Sequence, residues 1–333
     1  MRRLLGVILG LLLISGVGFG SLAIGYYAHR EQTQPIFGLA ERIITKGRRV
    51  LAMPTETHGM VDRVETTYLT MRGKVYLMPD NDWKNGGALT TWGEDVVVLH
   101  AEGRIFYLDE EMGLIETGLG IPDNQLDDYV ALAAAEYPDQ IAKPISLRYN
   151  DIEFIDGPVF RGLVLSYTFI DVDNHCYRNR VSQVAIRPDV TSIRELTLTS
   201  SDWRTLYDSS PCLDFNTERE LIVGYMAGGR VAYKAPDLLY LGNGEYHRAG
   251  LYRPDAGIQS PDSDYGKTIE INLAAGTARH YSIGHRNLQG VAVDTLGRLW
   301  TTEHGMRGGD ELNLIVDGEN YGWPLENLGT LYS

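Results

Sequence analysis

Hydrophobic positions fall into two regimes along this chain. Behind Met1-Arg2-Arg3, an uncharged apolar run extends from Leu4 to Ala28. Its roughly 25 residues are enough to cross a bilayer as a helix, whereas secretory signal cores are shorter, about 7–15 residues. Arg2 and Arg3 favour an N-terminus on the inner side. Ser21-Leu22-Ala23 leaves cleavage as the alternative. Residues 1–30 are read as a signal anchor or transmembrane helix and residues 31–60 as a juxtamembrane linker. Within the linker Phe37, Leu39, Ile43 and Ile44 are loosely helical in spacing. Either way, the bulk of the protein is expected outside the cytoplasm.

From Val64 the texture changes to short alternating runs separated by turn residues. Thr66–Met71 and Lys74–Met78 flank Arg72-Gly73, and Asp95–His100 and Arg104–Leu108 flank Ala101-Glu102-Gly103. An alanine-rich helix is expected over Asp127–Tyr137, as an insertion between strand units. Strands resume at Asp151–Phe154, Leu163–Phe169, Val181–Ile186 and Arg219–Val223. Arg230–Tyr233 and Leu238–Leu241 flank Lys234-Ala235-Pro236-Asp237, and Thr268–Asn272 leads into the turn Ala274–Thr277. Val291 and Val293, then Leu299 and Trp300, flank Asp294-Thr295-Leu296-Gly297. These are meander signals of the kind that build propeller blades, although no exact repeat is visible.

Composition narrows the picture. The chain has 333 residues, enough for one large all-β domain or two smaller ones, and its 20 tyrosines and 37 glycines suit many short strands joined by tight turns. Acids outnumber Lys and Arg by 44 to 30, for a net charge of −14. That balance argues against a nucleic-acid partner, which requires concentrated positive charge. Cys176 and Cys212 are the only cysteines. They either pair or remain thiols, and their spacing matches no zinc motif.

The densest polar cluster lies between Gly284 and Pro324. His285, Arg286, Asn287 and Gln289 precede one strand of a hairpin, and Glu303, His304 and Gly305 follow the other. A hairpin brings both groups to one end of a sheet. Asp310 and Glu311 come next, behind Gly308-Gly309. Glycines let backbone carbonyls approach a hard cation, and carboxylates complete its oxygen shell.

This stretch resembles the aldose sugar dehydrogenases of the glucose/sorbosone dehydrogenase family, which use pyrroloquinoline quinone (PQQ). The family pattern GHRNPQG…GxLWxxEHGPxGGDELNxxxxGxNYGWP is matched nearly in full, with Leu288 and Met306 in place of two prolines. The similarity continues weakly upstream to about Leu163. It implies an all-β, six-bladed β-propeller over residues 61–333, with PQQ and calcium at one end of the central channel. By motif, Arg286 would steady charge developing on the quinone oxygen, and Asn287 and Gln289 would contact the quinone. Carbonyls of Gly305, Met306 and Tyr321, with carboxylates of Asp310 and Glu311, would hold calcium. His285 and His304 read as packing or supporting residues. The resemblance further implies an aldose substrate, an electron acceptor such as a cytochrome or quinone, and an inner-membrane-anchored protein facing the periplasm.

Two departures qualify that expectation. The family's proton-accepting histidine precedes a Gly-Gly-Arg by two residues, and Met226 occupies its place in Tyr225-Met226-Ala227-Gly228-Gly229-Arg230. The following element survives as Leu239–Gly244, so the alignment stands. Methionine accepts no proton, and a general base contributes about 10²–10⁴ in rate. Weakened oxidation is therefore expected, unless His247 on the next loop substitutes. A non-catalytic, calcium-stabilised carbohydrate-binding propeller is the alternative, and a lactonase-type hydrolase is a further one by fold analogy. The second departure is the stop at Ser333, nine residues after Pro324, which suggests a truncated propeller.

Overall fold

Alternating burial sorts the chain into sheets whose faces pack on one another. The computed structural model describes residues 60–65, 70–76, 87–136, 147–215, 224–251 and 256–330. The expected membrane helix, the linker helix and the strand at 219–223 lie outside the described residues.

Strands β1 (Met60–Glu65) and β2 (Thr70–Val75) form a two-stranded antiparallel ribbon. The first blade-like sheet is a meander of β3 (Gly87–Trp92), β4 (Asp95–His100), β5 (Ile105–Asp109) and β6 (Gly113–Glu116). Helix α1 (Leu126–Glu136) follows, with Tyr129 and Ala133 buried. The second sheet contains β7 (Tyr149–Asp156), β8 (Arg161–Asp171), β9 (Cys176–Ala185) and β10 (Arg204–Asp208), and the short β11 (Leu213–Asp214) also pairs with β9. The third is β12 (Gly228–Lys234), β13 (Leu238–Asn243), β14 (Lys267–Asn272) and β15 (Ala278–Ile283). The fourth is β16 (Leu288–Val293), β17 (Leu299–Glu303) and β18 (Glu311–Ile315). All pairings are antiparallel and sequential within each meander, the pattern of propeller blades.

The leading strands β3, β7, β12 and β16 pack in that order, so four blades are seen among the described residues. Apolar side chains fill each gap between blades. Val97, Leu99, Ile152, Leu163 and Leu165 join the first two. Ile155, Val164, Val181, Val231, Leu241 and Ile269 join the second and third. Tyr240, Leu299 and Ile315 join the third and fourth. Each fully buried aliphatic side chain contributes about 1.5–3 kcal/mol relative to exposure, so the blade faces are the main source of cohesion.

A polar tie crosses the inner strands. Arg230 of β12 donates to the Asn150 carbonyl at 3.0 Å and the Gly87 carbonyl at 3.2 Å, and meets Asp151 at 3.3 Å. One guanidinium thereby joins three blades.

Several sequence expectations need correction. Arg72-Gly73 is not a turn: both residues lie inside β2, paired with Arg63 and Asp62. Strand β9 begins at Cys176 rather than Val181, because its polar first half is buried between neighbours. Strands β3, β6, β10, β11 and β18 had no expected counterpart, and most of them are short and carry polar or exposed positions. Cys176 and Cys212 form a disulfide with a Cα–Cα distance of 5.6 Å.

Candidate active site

The hairpin expected from the sequence is present. Strands β16 and β17 pair from Leu288–Glu303 to Val293–Leu299, with the turn at Asp294–Gly297. This register brings His285–Asn287 beside Glu303–Gly305, as the polar pattern predicts.

Glu303 organises the cluster. Its Oε1 meets His285 Nδ1 at 2.9 Å and accepts from Asn313 at 2.8 Å, and its Oε2 accepts the Arg286 backbone N–H at 2.9 Å. Burial alone would raise the Glu303 pKa. The His285 hydrogen bond and charge, with the Arg286 N–H, outweigh burial and hold the carboxyl below its usual value. His285 is 0% exposed, also bonds Ser282 at 2.8 Å, and stacks on Tyr321 at 4.7 Å between centroids. It is a packing residue, as expected. His304 is exposed, 3.7 Å from Asp310.

The Arg286 guanidinium is fixed by its neighbours. Nη1 donates to the His304 carbonyl at 2.9 Å and to the Gly305 carbonyl, and the group lies over the Trp323 ring at 5.3 Å. Trp323 is brought there by its own backbone, whose N–H donates to the Gly284 carbonyl at 2.9 Å. Asn287 accepts the Gln289 side chain at 2.7 Å.

Arg286, Trp323 and Met306 line a narrow cavity together with Glu245, His247, Ala249 and Leu251. Two buried donors of its lining residues, Arg286 Nε and Trp323 Nε1, have no hydrogen-bond partner among the described residues. Such donors are costly to leave unmade, and they mark where an acceptor is missing. Met226 is not among the lining residues.

The loop after β13 carries Glu245 and His247 to this wall and is braced at both ends. Gly244 N–H donates to Ala227 O at 2.9 Å, Glu245 N–H to Arg286 O at 3.0 Å, and Tyr246 N–H to Met226 O at 3.0 Å. A Cβ on Gly244 would strike the Met226 carbonyl, so this close approach requires glycine. Tyr246 O–H donates to Asn179 at 2.5 Å. Tyr246 (φ 50) and His247 (φ 60) are both left-handed, as is Met226 (φ 59). Non-glycine residues in this region cost about 1–3 kcal/mol each, and such strain gathers at functional sites.

Several of the residues expected for calcium have hydrogen-bond partners within the chain. The Gly305 carbonyl is already bonded to Arg286, and the 69%-exposed Asp310 accepts the Gly305 N–H at 3.0 Å. Glu311 opens β18 and bonds Asn313 at 2.9 Å rather than belonging to the loop. The hydroxyl of Tyr321 donates to Leu314 O at 2.7 Å, and Met306 is buried in the core. Among the described residues no group of three or more His, Cys, Asp or Glu side chains gathers to hold a metal. The two orphaned N–H groups are able to donate to an acceptor oxygen.

Residues 167–333 match the family model described as Glucose / Sorbosone dehydrogenase. Over 147 residues the chain is 33% identical to the aldose sugar dehydrogenase YliI of Escherichia coli (strain K12), covering 40% of this chain and 36% of that protein. Over 265 residues it is 26% identical to quinoprotein glucose dehydrogenase B of Acinetobacter calcoaceticus, covering 70% and 49%. The chain thus spans no more than about half the length of these curated relatives. A crystal structure of a glucose dehydrogenase superposes with a TM-score of 0.54 at 22% identity, covering 74% of this chain and 65% of the other, and shows the same fold.

Proposed function

Because the chain belongs to the glucose/sorbosone dehydrogenase family, we propose that it oxidises aldose sugars with PQQ as cofactor and Arg286 as a residue that contacts it. The observation that carries this is the pair of orphaned buried donors, Arg286 Nε and Trp323 Nε1, on two residues that line one cavity. The chemistry supplied by bound PQQ is acceptance of a hydride with its electron pair. Arg286 would hold it, with Asn287 and Gln289 close by in sequence. The guanidinium is immobilised by two carbonyls, so it is preorganised to stabilise negative charge on an oxygen without reorientation. Trp323 would exclude water from one side. Met226 offers only a thioether, a weak acceptor, so the sugar's hydroxyl proton needs another destination.

Several finer points belong to the same proposal. We propose six blades for the whole protein: Leu312, Leu314 and Val316 on and after β18 are 40–68% exposed, as expected of a blade face awaiting a neighbour. The apolar N-terminal run would anchor the propeller to the inner membrane, facing the periplasm. The Cys176–Cys212 disulfide suits that compartment. Electrons would leave to a cytochrome or quinone acceptor. Calcium would be held by the Asp310 and Glu311 carboxylates and the carbonyls of Gly305, Met306 and Tyr321, as the family motif implies.

The test is aldose-dependent dye reduction by the purified full-length protein after addition of PQQ, with and without calcium. Oxidation that requires added PQQ is expected. PQQ saturation with no turnover on any aldose would instead favour a non-catalytic binding propeller. An Asp310→Ala variant indifferent to calcium, compared with a calcium-stimulated parent, would assign the cation to this loop.

A further inference from the structure

We infer that the cleft between the outer strands of the second and third blades is a second ligand site, shaped for an uncharged saccharide. Its volume is about 380 Å³, within the range of small-molecule clefts, about 300–1,000 Å³. Tyr207 of β10, Asp264 before β14, Ile269 of β14, and Ala278, Arg279 and His280 of β15 line it. None of them lines the Arg286 cavity or falls in the Gly284–Pro324 pattern. The cleft is held open by a reciprocal tie. Asp264 N–H donates to the Ser210 carbonyl at 2.7 Å, and Ser210 N–H donates back to the Asp264 carboxylate at 2.8 Å. The polar groups are thus positioned before any ligand arrives, which lowers the cost of binding. The neighbouring gaps between blades are filled by apolar side chains, so cohesion does not account for a polar cleft here.

The lining selects against charged ligands. Arg279 Nε donates to Glu270 at 2.7 Å, and its Nη1 and Nη2 donate to Asp317 at 2.6 and 2.8 Å. Its fork is therefore occupied and does not offer itself to a phosphate or carboxylate. Asp264 repels anions as well. Burial alone would raise its pKa, but the His280 bond at 2.7 Å and the Ser210 N–H outweigh burial and keep it ionised. A carboxylate has about four lone-pair sites, so Asp264 can accept again after these two bonds. Tyr207 has the opposite need. Its buried hydroxyl lies beside Asp264 without a completed hydrogen bond to any described residue. Burial, and then the Asp264 charge, raise the phenol's pKa, so it remains a donor. An ammonium ligand has donors only and would leave this O–H unmet. A hydroxyl both accepts and donates, so it can serve Tyr207 and Asp264 together. Ile269 pairs directly with His280 across β14 and β15, which sets apolar surface beside the polar groups. Ile269 and Ala278 suit the C–H face of a sugar ring whose hydroxyls meet Tyr207 and Asp264.

The test uses the full-length protein, no added PQQ, and methyl β-D-glucoside, which has no free anomeric hydroxyl to oxidise. Failure of the quinone reading therefore leaves the result intact. Binding is read by calorimetric titration and by the His280 imidazole signal in nuclear magnetic resonance spectra, with melting temperature as the control for folding. The glucoside should bind and shift the His280 signal, and neither sodium acetate nor methylammonium chloride should displace it. Tyr207→Phe keeps the ring and removes the donor, so it should weaken binding about 5–100-fold. Ala278→Trp, at an exposed strand position, should fill the cleft and abolish binding while melting near the parent temperature. Binding to Arg286→Ala should stay within twofold of the parent. A parent that binds no glucoside, or an isotherm unchanged in either Tyr207→Phe or Ala278→Trp, would overturn the site. Loss of binding in Arg286→Ala would overturn its placement, and displacement by acetate or methylammonium would overturn the uncharged-saccharide assignment.

Discussion

Glu303 shows how a single side chain sets the site. Its carboxylate satisfies His285, Asn313 and the Arg286 backbone at once, and so fixes the two chain segments that carry the polar pattern. Its pKa is depressed in the fold, chiefly because the His285 bond offsets burial. A depressed carboxylate contributes stability that is present above its unfolded pKa, about 4.5, and is lost as pH falls through the folded value. Glu303→Gln is therefore expected to lower stability by about 2–3 kcal/mol at neutral pH, with the deficit shrinking below about pH 4. Melting curves of parent and variant from pH 3 to 8 check this. A deficit independent of pH would show that the charge is not what matters. Part of this detail is legible in the sequence. His285 and Arg286 before one strand and Glu303 and His304 after the other predict proximity once the hairpin is recognised. Trp323 stands in a recognised motif, yet nothing in its local pattern places it against Arg286. That contact depends on residues 319–323 running along Gly284, which no periodicity encodes.

Elements were readable in proportion to how strongly they alternate and how clearly turns bound them. The Asp294–Gly297 hairpin, the Ala101–Gly103 turn and α1 are of this kind, and the structure has them close to their expected limits. Arg72-Gly73 misled because glycine is a turn signal only where the backbone needs it, and β2 passes through it extended. Strand β10 (RTLYD) and strand β6 (GLIE) were missed because their exposed positions are polar and their lengths are four or five residues. The second blade also carries the Cys176–Cys212 link, 36 residues apart, between the start of β9 and the chain just before β11. Closing a loop of that length restricts the unfolded chain by about 4 kcal/mol at most. A Cys176→Ser/Cys212→Ser protein should lose about 2–4 kcal/mol in denaturant melts, and reductant should lower the parent to the same midpoint. Equal midpoints for oxidised parent and variant would show that the link constrains nothing.

At the scale of the molecule, the four blades among the described residues pack through successive apolar layers, and the cavity lies between the third and fourth. Its wall is built from β13's following loop, the segment before β16 and the segment before Pro324, so no single blade makes the site. Composition could not have located it, because the net charge of −14 says nothing about where one arginine is buried. Arg286 is proposed as a residue that anchors PQQ. The most direct measurement is an equilibrium absorbance titration of PQQ into the full-length parent and into Arg286→Ala, with circular dichroism confirming that both are folded. Loss of a charged donor to an anionic ligand in a desolvated site costs about 2–5 kcal/mol, so at least a thirtyfold weakening is expected. Superimposable binding curves for two folded proteins would contradict that role for Arg286.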